Sequence, residues 1–175
     1  MEIIPLMLAE FEEETRVTRT VLERVPDEGE MGAWKPHEKA FAMAHLAQLV
    51  GMLPGWVAIV TEKDEFDIAP KDGPKTAGYS IQKTAALLDM FDKNVTQGRE
   101  ALGRLTEAQL EQPWHFKARG VTMRTYTKYE ALRSTVFNHL VHHRAQLGLY
   151  LRMTDKKVPQ MYGPTADDKP RPAPI

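Results

Sequence analysis

The sequence predicts an all-α protein, an antiparallel four-helix bundle. Four amphipathic stripes of apolar residues at steps of three or four carry that expectation, because each must bury its apolar face against the others. The absence of cysteine removes disulfides as an alternative source of order. Two capping boxes mark where helical segments begin.

The first stripe is Ile4, Leu8, Phe11, Thr15, Thr18 and Leu22, with Glu and Arg between. It predicts a helix over 2–24, closed by Pro26 and Gly29. Residues 27–37 read as a loop ending in Trp34-Lys35-Pro36-His37. A second helix is expected over 38–62, with Phe41, His45, Gln48 and Met52 on one face. Pro54 sits either at a first helical position or at a kink. Residues 64–79 hold scattered Gly and Pro and read as a long loop. Ser80 is the expected N-cap of a third helix over 81–104, with Ile81, Ala85, Leu88, Phe91 or Asp92, Val95, Arg99 and Leu102 on its stripe.

Thr106 with Gln109 forms one capping box and Thr127 with Glu130 another. Between them, residues 113–126 break the helical period, and Phe116, Val121, Met123 and Tyr126 around Arg119-Gly120 predict a small hairpin. The last helix is expected over 128–153, with Leu132, Val136, His139, His143, Gln146 or Leu147, and Tyr150 on one stripe. An extended tail follows from about 158. The whole of 1–175 reads as one domain.

Composition narrows the function. Of 175 residues, 42% are hydrophobic and 27% charged, as in an ordinary globular protein. Lys and Arg number 23 against 24 Asp and Glu, so no basic surplus supports nucleic-acid binding. The N-terminus is apolar for a few residues and then acidic, unlike a signal peptide. No stretch reads as the roughly 20 apolar residues that cross a bilayer. These features predict a cytoplasmic protein with neither nucleic acid nor membrane as partner.

The chemistry lies in the histidines. His139 and His143 are four residues apart, and that step turns a helix by only about 40° past a full turn, so both rings leave one face. Two ring nitrogens can then converge on one ion. The zinc-peptidase pattern also needs Glu after the first His; Leu140 stands there, so that reading fails. Pairing His139 with His142 is also geometrically open, but His143 shares the core stripe and His142 points about 100° away. His45 lies on the apolar face of the second helix. On residues alone, two readings stand: hydrogen-bonded core histidines, or a metal site of His45, His139 and His143. Gln146, one turn beyond His143, meets either the ligands or the backbone. Arg144 faces off the stripe, where a salt bridge is the simplest role. Trp34 and Trp56, with Phe11, Phe91 and Leu132, read as core. No general base can be named, since His37 and Glu38 stand about two turns before His45.

The run Asn138-His139-Leu140-Val141-His142-His143-Arg144-Ala145-Gln146, followed by Leu149-Tyr150-Leu151-Arg152, resembles the final-helix motif of the DinB family. Trp34-Lys35-Pro36, His45-Leu46 and the tail Val158-Pro159-Gln160-Met161-Tyr162-Gly163-Pro164-Thr165-Ala166-Asp167 are similar to other parts of that family's pattern. One position departs: Ala145 stands where the family usually has Gly. The resemblance implies a DinB/YfiT-like bundle with a long crossover and a three-His centre for a divalent metal ion, with ligands at His45, His139 and His143. Zn, Ni, Fe, Mn and Co all suit such ligands. Characterised members of the family include transferases and isomerases that use low-molecular-weight thiols such as bacillithiol or mycothiol. The resemblance therefore points to a metal-dependent enzyme, a thiol S-transferase or a hydrolase, with a small-molecule substrate, a thiol cosubstrate and a homodimeric assembly. The competing readings are a non-catalytic metal- or small-molecule-binding bundle and an interaction module whose buried histidines are relics.

Overall fold

The structure is a computed structural model that describes residues 2–27, 30–71 and 83–167, with residues 30 and 31 described by their backbone alone. In chain order the elements are α1 (Ile3–Leu22), α2 (Glu30–Ala33), α3 (Met43–Met52), a 3-10 turn (Leu53–Gly55), α4 (Trp56–Glu62) and β1 (Glu65–Asp67). Then come α5 (Thr84–Gly103), α6 (Glu107–Leu110), β2 (Pro113–Ala118), β3 (Val121–Thr127), α7 (Lys128–Ala131), a π-helical turn (Leu132–Phe137) and α8 (Asn138–Met153).

The fold is mostly helical, and a three-stranded sheet corrects the all-α expectation of a simple four-helix bundle. The hairpin expected at 113–126 is present as β2 and β3, antiparallel, with Trp114 opposite Tyr126. Arg119 and Gly120 make its turn, both with positive φ, at 54° and 77°. The Asp67 carboxylate accepts from both of their backbone N–H groups, at 3.0 and 2.6 Å. Asp67 belongs to β1, which pairs in parallel with β2 through Glu65–His115, Phe66–Phe116 and Asp67–Lys117. β1 lies in the stretch read as loop. It is three residues long, and its pairing partner is about fifty residues away, so no local period announces it.

Helix ends differ where tertiary contacts decide them. The second helix begins at Met43 rather than 38, because the Met43 N–H donates to the Trp34 carbonyl at 2.8 Å. Residues 36–40 form bends and a turn instead, with the Lys39 N–H on His37 Nδ1 at 3.1 Å. Within the expected loop at 27–37, α2 is a single short helix. The expected caps at Gly29 and Ser80, and Ile81 of the third stripe, lie outside the described residues. Thr84 opens the described part of α5, its N–H donating to Asp27 Oδ1 at 2.6 Å. Both capping boxes form as expected, Thr106 with Gln109 and Thr127 with Glu130.

Pro54 falls in the 3-10 turn between α3 and α4. There α5 passes so close that a Cβ on Gly98 would stand 2.4 Å from the Pro54 carbonyl oxygen and 2.9 Å from Phe11 Cζ. Only glycine permits that approach. Two apolar clusters fill the interior. One gathers Leu22, Leu46, Val50, Phe91, Leu147 and Leu151, the other Phe11, Val57, Leu102, Trp114, Leu132 and Phe137. Trp56 packs against both, which places it where α3, α4 and α8 meet.

The run from Met43 to Glu62 is, by length and composition, apolar enough to cross a membrane. This differs from the expectation that no stretch is long and apolar enough to do so. In the fold, 56% of its most apolar window is buried inside the protein, so its hydrophobicity is accounted for by core packing.

Candidate metal centre

His139 and His143 project from one face of α8, as their spacing requires, and their Nε2 atoms stand 2.9 Å apart. Each ring is turned by an oxygen on its far side. His139 Nδ1 donates to the Thr135 carbonyl at 3.2 Å, and His143 Nδ1 donates to Gln146 Oε1 at 2.8 Å. A backbone carbonyl only accepts, so His139 in its neutral form carries its proton on Nδ1 and a lone pair on Nε2. Gln146 imposes the same tautomer on His143. Two Nε2 atoms thus face each other at hydrogen-bond distance, and with both Nδ1 atoms protonated a cation between them would satisfy both lone pairs.

Thr135 belongs to the π-helical turn directly before α8. Such turns are rare and recur at functional sites. Nothing in the periodicity of the sequence distinguishes this one from ordinary helix, since Leu132 and Val136 fit an α-helical stripe equally well.

His45 comes from α3. It belongs to the same neighbourhood, because the His143 ring is near enough to depress its protonation electrostatically. Phe41 links the two: its ring lies 4.4 Å from that of His45 and 6.0 Å from that of His143, centroid to centroid. Phe41 is not on the helix with His45, as the sequence suggested, but in the segment before it, and it is 42% exposed. Trp56 adds a second aromatic wall, with its ring edge-on to His139 at 5.8 Å. The sequence reading treated Trp56 as core alone.

The histidines are brought into one neighbourhood but not into a finished ligand set. Among the described residues no group of three or more His, Asp or Glu side chains is gathered as a metal site. The donor chemistry of the His139–His143 pair nevertheless suits a divalent ion. His142 is exposed, with its ring 4.8 Å from that of His143, and it does not join the facing pair.

Burial holds His139, His143 and His45 below the ordinary histidine pKa of 6.5. Positively charged neighbours add to this: His143 acts on His139 and His45, and His142 acts on His143. Neutral imidazoles are the ligand-competent form. The same shifts bear on stability. Below pH 6.5 the unfolded chain takes up protons that the folded one refuses, so this contribution is complete above 6.5 and declines as pH falls below it. The melting temperature of chelator-treated protein is therefore expected to drop between pH 7.5 and 5.5. In His139→Gln/His143→Gln protein that drop should be smaller, and equal slopes for the two proteins would contradict the assignment.

Arg144 departs furthest from expectation. It is fully buried, on the face of α8 that meets α1. Its guanidinium pairs with Glu14 Oε2 at 2.7 Å and donates to the Glu14 carbonyl at 3.0 Å and to Thr18 Oγ1 at 3.1 Å. It also bonds the Tyr162 hydroxyl, which in turn donates to the Glu14 carboxylate. The salt bridge foreseen for Arg144 exists, but as an interior one.

A family model described as the DinB family matches residues 2–171. The chain belongs to the DinB family. Two solved structures are similar to it in fold. A DinB-like protein from Bacillus cereus superposes with a TM-score of 0.66 at 19% identity, covering 89% of this chain and 95% of the other. A DinB-like protein from Bacillus subtilis gives 0.63 at 17% identity, covering 89% and 97%. No curated protein matches the chain. At these identities the likeness extends to the fold, and the site must be argued from this DinB chain's own residues.

Proposed function

We propose that this DinB protein is a divalent-metal-dependent enzyme whose ion is held by His139, His143 and His45. Its substrate would be a small molecule and its cosubstrate a low-molecular-weight thiol. The observation that carries the reading is the pair of Nε2 atoms facing each other at 2.9 Å, with an oxygen against the Nδ1 of each ring. When bound, such an ion supplies Lewis acidity that lowers the pKa of a coordinated water or thiol. Three neutral ligands leave its charge intact and a coordination position open, as catalytic sites do.

The chain's own residues prepare this site. Burial keeps the imidazoles neutral near pH 7. The Thr135 carbonyl and Gln146 hold the ring orientation of His139 and His143. Phe41 and Trp56 flank the rings with apolar surface. The protein has no cysteine, so a thiol nucleophile has to be brought by a cosubstrate.

Metal analysis of untagged protein is the direct test, with about one ion per chain expected. Trp56 offers an optical one. Copper(II) bound beside His139 should quench tryptophan fluorescence, and Trp56→Phe should remove the largest part of that response. Protein that takes up no ion under ample metal would defeat the proposal.

A further inference from the structure

The spacing that serves His143 occurs twice. Gln146 follows His143 by three residues on α8, and Gln48 follows His45 by three residues on α3. In the first pair the amide oxygen accepts from imidazole Nδ1 at 2.8 Å, which proves that a His and a Gln at this step can meet on one helix face. In the second pair the amide oxygen is idle. Gln48 Oε1 is buried and has no hydrogen-bond partner. Burying such a group unpaired costs roughly 1–3 kcal/mol, so its retention calls for a state in which it is used.

We propose that Gln48 is the positioning residue for His45. When the His45 ring turns toward the His139–His143 pair, its Nδ1–H donates to Gln48 Oε1, and its Nε2 is left as the third donor. This inference rests on the metal reading above and adds to it a conformational step. The ligand set is incomplete among the described residues; a turn of the His45 ring would complete it, and an unpaired acceptor lies three residues along the same helix. The Phe41 ring against His45 supplies a flat surface along which the imidazole can reorient.

The test uses the full-length protein with zinc(II) as probe, its affinity measured by competition with a chromophoric chelator. Gln48→Leu removes the acceptor at similar size, and Gln48→Glu keeps one. Gln48→Leu should weaken zinc about 10–100-fold, the range for partners that orient a ligand, while Gln48→Glu stays within a few-fold of the parent. Metal-free Gln48→Leu should melt at or above the parent's temperature, because an unpaired buried oxygen has gone; this also verifies folding. In the zinc-loaded parent and Gln48→Glu, the His45 Nδ1 proton should be visible by nitrogen-edited NMR, and in Gln48→Leu it should be lost to solvent exchange. If the parent binds zinc and Gln48→Leu binds it equally well, this inference is overturned while the metal reading stands. Equal weakening in both variants would likewise overturn it, since packing and not the acceptor would then be at issue. A parent that binds no zinc overturns both.

Discussion

His139→Ala and His143→Ala are each expected to empty the proposed metal site, with His45→Ala close behind, whereas His142→Ala should leave it filled. The measurement is metal content after dialysis of protein loaded with one defined ion. His139 and His143 supply the two converging Nε2 atoms, so losing either leaves one ring where two are needed. The loss in affinity should exceed the roughly 10–100-fold typical of residues that only orient a ligand. His142, exposed and outside the facing pair, should cost no more than that range. Retention of metal by His143→Ala with its loss from His142→Ala would reverse the assignment. Full retention by all four variants would end the metalloprotein reading.

Arg144→Ala should produce the largest loss of stability of any single change on α8, about 3–5 kcal/mol, as expected when one partner of a buried ion pair is removed. Glu14 would be left with its carboxylate 12% exposed and without its guanidinium. The Glu14 carbonyl and Thr18 hydroxyl would lose a donor as well. Tyr162→Phe, which deletes one hydroxyl from the same cluster, should cost only about 1 kcal/mol. Urea denaturation with a shared m-value distinguishes the two. A cost below 1 kcal/mol for Arg144→Ala would mean that the pair is hydrated in solution.

Much of this was legible in the sequence because helices write themselves locally. The stripes through Phe11, Phe91 and Leu132 placed three residues that are now found 0–1% exposed. The four-residue step from His139 to His143 implied their convergence before any coordinates. The hairpin announced itself through Arg119-Gly120, a pair able to take positive φ at the turn. What escaped notice depended on distant chain. β1 forms only because β2 offers it an edge. The start of α3 is decided by the Trp34 carbonyl, which moved Phe41 out of the helix to a place beside the site. From α8 alone, Arg144 reads only as off the stripe, in a salt bridge. It is interior because α1 and the 158–167 tail cover that side, with Tyr162 reaching Glu14 and Asp167 pairing with Arg152 at 2.5 Å. The role of Gln146 was open until its amide was seen against His143.

The π-helical turn at Leu132–Phe137 makes the length of the final helix a chemical variable. A π turn holds one residue more than the α-helical path it replaces, so the capping box at Thr127 and the histidines downstream are out of phase by one step. Deleting a single residue there would give a more regular helix, which α-helical propensity alone would favour. It would leave His139 and His143 on the same side of the axis, because the π turn absorbs the extra residue. Straightening the turn to α-helix with every residue kept would instead swing them by about 100°, away from α3 and His45. The turn's hydrogen-bond pattern and its residue count together, independent of residue identity, set where the imidazoles aim.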